Sequence, residues 1–239
     1  MTVPATGARL QVGLLLCDHL DDDMAALAGD YPVLFPERFG PVGLDLRIYE
    51  CTVGEFPDRT DECDAFITSG SRYSAYDDLD WIRDLNAFQR QAFDDGVRQV
   101  GICFGHQTIA QALGGRVERA AGWGVGVRTF EVVADAPFLE PAARSFNILM
   151  SHQDQVVELP HGAELLATAD YCPVGGYRVG DRVLCVQGHP EFVPALSRGL
   201  LGKRRDRIGP EVCDVALDSL ALSLDHDLVA RWMARFLAG

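Results

Sequence analysis

The segment Val100-Gly101-Ile102-Cys103-Phe104-Gly105-His106-Gln107 places a thiol between two glycines, where a strand pattern changes directly into a helical one. Residues 98–103 predict the strand and residues 106–113 the helix. This is the G-x-nucleophile-x-G pattern of a nucleophile elbow, with cysteine in place of serine. The glycines relieve crowding in a sharp turn, and a helix N-terminus favours the thiolate. The pattern alone leaves two interpretations of Cys103 open, a nucleophile and a buried core cysteine.

Strand and helix patterns alternate on the N-terminal side of this turn. The apolar strand patterns cover residues 11–17, 44–50 and 65–68, and a helix is predicted over residues 81–95. Such alternation is typical of a parallel sheet covered by helices on both faces.

The pattern changes after residue 117, where short strand-like pieces are separated by Gly, Pro and Asp. They cover residues 125–133, 148–150, 156–159, 164–168, 176–179 and 183–186, and helices follow over 212–222 and 228–237. We therefore predict an α/β fold with a doubly wound, mostly parallel sheet flanked by helices, and a smaller mixed or antiparallel sheet. Because no linker or repeat interrupts the chain, we expect a single domain over residues 1–239 with a C-terminal helical extension from about residue 194.

The charge balance argues against two classes of partner. The chain has 239 residues, of which 35 are acidic and 21 basic, so its formal net charge is -14. Such a surface repels phosphate groups, and we expect neither nucleic acid nor a membrane as partner. The one basic run, Lys203, Arg204, Arg205 and Arg207, is interpreted as a solvated helix face.

Cysteine usage and the N-terminal residues indicate the compartment. There are 7 cysteines without any C-x-x-C pair, which favours neither a disulfide framework nor a zinc site. The apolar run over residues 12–16 is too short for a signal segment or a membrane span. We expect a cytoplasmic protein.

A second motif, Gln187-Gly188-His189-Pro190-Glu191-Phe192, follows the predicted strand at 183–186. Residues two apart in an extended chain point the same way, so His189 and Glu191 can lie on one face. A base oriented by a carboxylate is what a cysteine nucleophile requires, and histidine titrates near neutral pH. A histidine before proline also fits a simple turn, and it is Cys103 that favours the catalytic interpretation.

Together these motifs resemble a known family. Cys103 in GICFGHQ, followed by His189 and Glu191 in GHPEF, is similar to the triad of the class I glutamine amidotransferases, over about residues 66–192. The resemblance implies a flavodoxin-like fold and hydrolysis of glutamine to glutamate and ammonia through a γ-glutamyl thioester. It implies no cofactor.

Two further segments gain meaning from the resemblance. In Thr68-Ser69-Gly70-Ser71-Arg72-Tyr73, it implies that the backbone N–H of Gly70 or Ser71 joins that of Phe104 in an oxyanion hole. The family usually has Gly-Gly-Pro where this chain has Ser-Gly-Ser, and a polar turn without a catalytic role is the alternative.

The second segment is Met150-Ser151-His152-Gln153-Asp154-Gln155-Val156, which resembles the Ser-His-x-Asp segment that contacts the substrate. The resemblance implies that Ser151, His152 and Gln107 bind the small-molecule substrate. His152 and Asp154 could also ligate a metal, but no third ligand lies at useful spacing, and we predict no metal site.

Three functions from different classes follow. The leading hypothesis is a glutaminase that passes ammonia to a partner synthetase. The segment 70–82 and the helical C-terminus resemble a group of stand-alone proteins that are similar to the GMP synthase glutaminase domain. Plant γ-glutamyl peptidases lie near this group, so a free-standing γ-glutamyl hydrolase is the second hypothesis. The third is a non-catalytic relative that binds a ligand or partner, which the presence of Cys103, His189 and Glu191 disfavours.

Overall fold

A central sheet of nine strands organises the part of the chain that the computed structural model describes, residues 9–239. The strands are β1 (Leu10–Leu16), β2 (Leu44–Glu50), β3 (Ala65–Thr68), β4 (Arg98–Ile102), β5 (Arg116–Val132), β6 (Ser145–Glu158), β7 (Ala163–Ala169), β8 (Cys172–Val179) and β9 (Val183–Val186). The helices are α1 (Asp22–Ala28), α2 (Tyr31–Phe39), α3 (Asp80–Asp94), α4 (Phe104–Ala112), α5 (Pro194–Lys203), α6 (Arg205–Ile208), α7 (Pro210–Ser219) and α8 (His226–Ala238).

The sheet has a parallel and an antiparallel part. Its order is β2-β1-β3-β4-β9-β8-β7-β5-β6. The strands from β2 to β9 pair in parallel, whereas β9, β8, β7, β5 and β6 pair antiparallel. The predicted α/β fold is confirmed, and pairing between β8 and β9 joins the predicted smaller antiparallel part to the parallel strands in one sheet.

Each face of the parallel strands is covered by its own hydrophobic core. In β1, Leu14 and Leu16 pack with apolar side chains of α1, α2, α5, α7 and α8. The alternating residues Leu15 and Cys17 point to the other face and pack with side chains of α3 and α4. The sheet is therefore doubly wound, with helices on both sides.

Two features differ from the sequence prediction. Strands β5 and β6 have 17 and 14 residues, much longer than the predicted pieces, because they pair with each other along most of their length and a register shift between Arg119 and Gly124 lets β5 continue past its glycines. Helix α2 contains Pro32 and Pro36, and because proline has a low helix propensity the sequence does not predict this helix. The helix begins where the Asp30 carboxylate accepts a hydrogen bond from the Tyr31 N–H.

The C-terminal part of the chain is helical from α5 onward, as predicted. Residues 1–8 of the predicted single domain lie outside the described residues, and the single domain stays a prediction. None of the helices within residues 9–239 combines the length and the hydropathy that a membrane span requires. The cytoplasmic location likewise stays a prediction.

Candidate active site

Cys103 occupies a sharp turn between β4 and α4. Its φ of 53° is the one left-handed value at a non-glycine position among residues 9–239, a strained conformation for a residue with a side chain. A Cβ on Gly101 would lie 2.6 Å from the Gly105 carbonyl oxygen, and a Cβ on Gly105 would lie 2.4 Å from that of Thr68. Only glycine fits on either side, so the turn has the geometry of a nucleophile elbow.

The surroundings of Cys103 fix the thiol at the first turn of α4. The Cys103 N–H donates to the Val186 carbonyl oxygen of β9 at 3.0 Å, and the side chain is buried. As the N-cap residue, Cys103 holds its sulfur near backbone N–H groups and the positive end of the helix dipole.

His189 and Glu191 lie directly after β9, the strand next to β4. The His189 N–H donates to the Leu149 carbonyl oxygen at 2.8 Å, and the imidazole stacks on Phe192 with ring centroids 3.9 Å apart. Its Nδ1 donates to Glu191 Oε1 at 2.7 Å, and both side chains are buried. The ring is thus held in one orientation by a carboxylate, a backbone bond and an aromatic face.

The electrostatics of this pair favour a charged imidazole. Burial acts to lower the pKa of His189, but the negative charges of Cys103 and Glu191, together with hydrogen bonds to both, raise it above the usual value. A histidine with a raised pKa beside a cysteine can take the thiol proton and stabilise the thiolate as an ion pair.

The loop after β3 lies against both side chains. A Cβ on Gly70 would be 2.7 Å from His189 Cε1 and 3.8 Å from Cys103 Cβ. Within residues 9–239, the N–H groups of Gly70, Ser71 and Phe104 donate to no other residue. These are the donors expected for an oxyanion hole.

Hydrogen bonds to the end of β1 hold this loop in place. The Ser71 hydroxyl donates to the Cys17 carbonyl oxygen at 2.8 Å, and the Cys17 N–H donates to Ser69 Oγ at 2.9 Å. Arg72 forms an ion pair with Asp18 at 2.9 Å. Because the loop is tied down at three points, its free N–H groups have fixed positions.

A cleft of about 470 Å³ opens above Cys103. The predicted site residues that line it are Ser71, Cys103, Phe104, Gln107, Ser151, His152 and His189. Gly70 and Glu191 lie behind this surface, in contact with His189. The structure therefore brings together all nine residues that sequence reasoning had placed in the site.

The predicted substrate contacts are partly engaged with the protein itself. Gln107 Nε2 donates to the Asp154 carbonyl oxygen at 2.8 Å and to Gln187 Oε1 at 3.1 Å. His152 Nδ1 donates to the same Asp154 oxygen at 2.9 Å, and burial lowers the pKa of His152 to about 4, so the ring is neutral. Gln107 and His152 thus brace the backbone of Asp154 at the cleft wall.

Asp154, considered above as a possible metal ligand together with His152, has other partners in the structure. Within residues 9–239 there is no group of three His, Cys, Asp or Glu side chains placed to hold an ion. The Asp154 carboxylate accepts instead from Ser74 Oγ at 2.5 Å and from the Tyr76 hydroxyl at 3.0 Å. Asp154 therefore anchors the segment that contains Ser74 and Tyr76 at the wall of the cleft, a role that sequence reasoning missed.

The basic run at residues 203–207 differs from the solvated helix face that the sequence predicts. Lys203, Arg204 and Arg207 line the cleft, and only Arg205 turns away to pair with Asp214. The predicted solvated face is wrong for Arg204, which is half-buried and donates to Ser151 Oγ at 2.9 Å. A break between α5 and α6 points neighbouring residues in different directions. The signal in the sequence was a cluster of cations in a strongly acidic chain.

The class of this protein is defined by a doubly wound α/β sheet that carries a cysteine at a nucleophile elbow beside a His–Glu pair. Comparison with known families then identifies the family. The model of the family "Glutamine amidotransferase class-I" matches residues 37–201, and the chain belongs to this family.

Curated relatives of two kinds match the chain. It is 34% identical over 201 residues to Gamma-glutamyl peptidase 3 of Arabidopsis thaliana, covering 80% of each chain, and 37% identical over 188 residues to Gamma-glutamyl peptidase 4, covering 75% of this chain and 73% of the relative. It is 35% identical over 135 residues to the glutamine-hydrolysing GMP synthase of Clostridium novyi, which covers 56% of this chain and 26% of that protein.

A solved structure shows the same fold. A glutamine amidotransferase from Thermotoga maritima superposes with a TM-score of 0.73 at 19% identity, covering 95% of this chain and 96% of the other. This structural match agrees with the architecture described above.

Proposed function

We propose that this protein hydrolyses the γ-amide bond of glutamine or of another γ-glutamyl compound, with Cys103 as nucleophile and no cofactor. The observation that supports it most directly is the placement of a strained cysteine at a helix N-terminus beside an imidazole that Glu191 holds through Nδ1. The enzyme relatives in the same family support it further.

The proposed reaction begins with proton transfer from the Cys103 thiol to His189. The sulfur attacks the γ-carbonyl carbon, and the oxygen that becomes negative accepts hydrogen bonds from the free N–H groups near Gly70 and Phe104. The C–N bond then breaks, and His189 gives its proton to the departing nitrogen.

Water completes the proposed cycle. His189 removes a proton from the water molecule that attacks the γ-glutamyl thioester, the carbon–sulfur bond breaks, and glutamate leaves with Cys103 returned to its starting state. Glu191 stabilises the imidazolium in both halves without taking the proton itself.

Two leaving groups distinguish two candidate functions. Ammonia from glutamine would make the protein a glutaminase, whose product a partner synthetase in the cytoplasm would use. An amine from a γ-glutamyl peptide would make it a free-standing peptidase. The longer coverage of the plant γ-glutamyl peptidases, compared with the GMP synthase match, favours the second candidate.

The experiment compares glutamate release from glutamine and from γ-glutamyl peptides by the wild type and by Cys103→Ala. We expect the variant to lose turnover of every substrate, while Cys213→Ala, which removes a buried thiol from α7, keeps it. Unchanged turnover by Cys103→Ala would refute the nucleophile. A wild type that releases glutamate from none of these substrates would refute hydrolysis and support a non-catalytic binding role.

A further inference from the structure

The cleft is lined by an unusual number of cations for a chain with a formal net charge of -14. They are Arg72, Arg119, Lys203, Arg204 and Arg207. Two of them are neutralised by carboxylates: Arg72 pairs with Asp18 and Asp21, and Lys203 pairs with Asp21 and Asp23.

The other three arginines have no such neutralisation. Within residues 9–239, no carboxylate lies within 4.0 Å of Arg119, Arg204 or Arg207, and residues 1–8 contain no Asp or Glu. Arg119 donates to the Gln153 amide oxygen at 2.9 Å, and Arg207 lies 4.6 Å from the centre of the Trp123 ring. In a protein with an excess of carboxylates, three unneutralised arginines in one cleft indicate an anionic ligand.

Arg204 is the most withdrawn from water of these three. It follows α5, and burial lowers the pKa of its guanidinium. Its bond to Ser151 Oγ satisfies one of five N–H donors with a neutral acceptor. A desolvated guanidinium without a counter-charge is costly, and a carboxylate arriving in the cleft would offset that cost.

We propose that Arg204, together with the Ser151 hydroxyl, binds a carboxylate on the departing amine of the substrate and thereby determines specificity for acidic γ-glutamyl compounds. This inference rests on the proposed function. A planar guanidinium matches a carboxylate through two parallel hydrogen bonds, and the partial burial of Arg204 strengthens both. Ser151 orients the guanidinium and leaves its remaining donors for the substrate.

Two carboxylates could supply this chemistry. One is the α-carboxylate of the glutamyl group, which every γ-glutamyl substrate carries. The other is a carboxylate on the departing amine, which γ-glutamylglycine carries and glutamine does not. The two substrates therefore separate the sources.

The test measures kcat and KM for glutamine and for γ-glutamylglycine in the wild type, Arg204→Met, Arg204→Lys and the control Arg205→Met. Arg205 is the adjacent residue, and its partner is Asp214 at the surface, so the control removes the same charge outside the cleft. The rate at which neutral iodoacetamide alkylates Cys103 reports whether the nucleophile is intact without requiring substrate binding.

We expect Arg204→Met to raise KM by roughly 10- to 100-fold, which corresponds to a lost charge-assisted hydrogen bond, with little change in kcat or in alkylation. Arg204→Lys, which keeps the charge and loses the paired geometry, recovers part of the affinity. The proposal predicts this rise for γ-glutamylglycine alone. An equal rise for glutamine would assign Arg204 to the α-carboxylate and refute its role in specificity.

Two other results would also overturn the inference. One is a KM in both Arg204 variants equal to that of Arg205→Met. The other is a parallel loss of alkylation and of kcat, which would mean that Arg204 supports the structure of the site. A wild type inactive on both substrates would instead refute the proposed function.

Discussion

Replacing Gly70 with alanine tests how closely the loop after β3 and the imidazole depend on each other. The added Cβ would lie 2.7 Å from His189 Cε1 and 3.5 Å from Nδ1. The ring cannot easily move away, because Phe192 stacks on one face and Glu191 holds Nδ1. Either the ring or the loop must shift.

The size of the shift follows from the contact distance. Ordinary van der Waals contact begins near 3.4 Å rather than 2.7 Å, so one of the two must move by about 0.7 Å. A misplacement near 1 Å can cost about 100-fold in rate, and we expect Gly70→Ala to lose roughly 10- to 100-fold in kcat/KM. Overpacking predicts a stability loss of about 1–3 kcal/mol.

Glutamate release and thermal unfolding measure the two effects in one preparation. Gly202→Ala is the matched control, because an added Cβ there meets nothing within 4 Å. At this exposed helix position, alanine should raise the free energy of unfolding by about 0.5–1 kcal/mol. If Gly70→Ala kept the kcat/KM of the wild type, the loop would not be positioned by contact with His189, and its role in an oxyanion hole would be refuted.

Two further predictions concern buried histidines. Glu191→Gln should lower glutamate release less than His189→Ala does, because it weakens the bond that orients the ring without removing the base; equal losses in steady-state rates would contradict this division of roles. At His106, burial lowers the pKa to about 3, so below pH 6.5 the unfolded chain binds a proton that the native protein does not, and stability falls as the pH falls. The wild type should therefore lose about 2 kcal/mol more unfolding free energy than His106→Leu between pH 7 and pH 5, as measured by urea titrations. An equal loss in both proteins would argue against a buried neutral His106.

Sequence reasoning predicted the parts of this molecule that depend on local chemistry. The elbow at Cys103 follows from glycine placement, and the buried strands β1 and β3 follow from their apolar runs. His189 and Glu191 were identified because a two-residue spacing in extended chain places both on one face.

Features that depend on tertiary contacts were missed. The length of β5 depends on its pairing with β6, which overrides the glycines inside it. Arg204 reaches the cleft because α5 ends beside Ser151, and no local pattern predicts where a helix end will lie. The two prolines of α2 hide a helix that packing and the Asp30 cap stabilise.

The pairing of β4 with β9 gives the thiol and its base a common anchor. Ile102 and Val186 are partners in this pair, and the Cys103 N–H continues the ladder by bonding to Val186. A slip of one residue would carry His189 about 3.3 Å along the strand, too far to exchange a proton with the sulfur. Fraying at an edge of the sheet leaves this central ladder intact. We therefore expect the thiol and its base to separate only when the central strands of the sheet unfold.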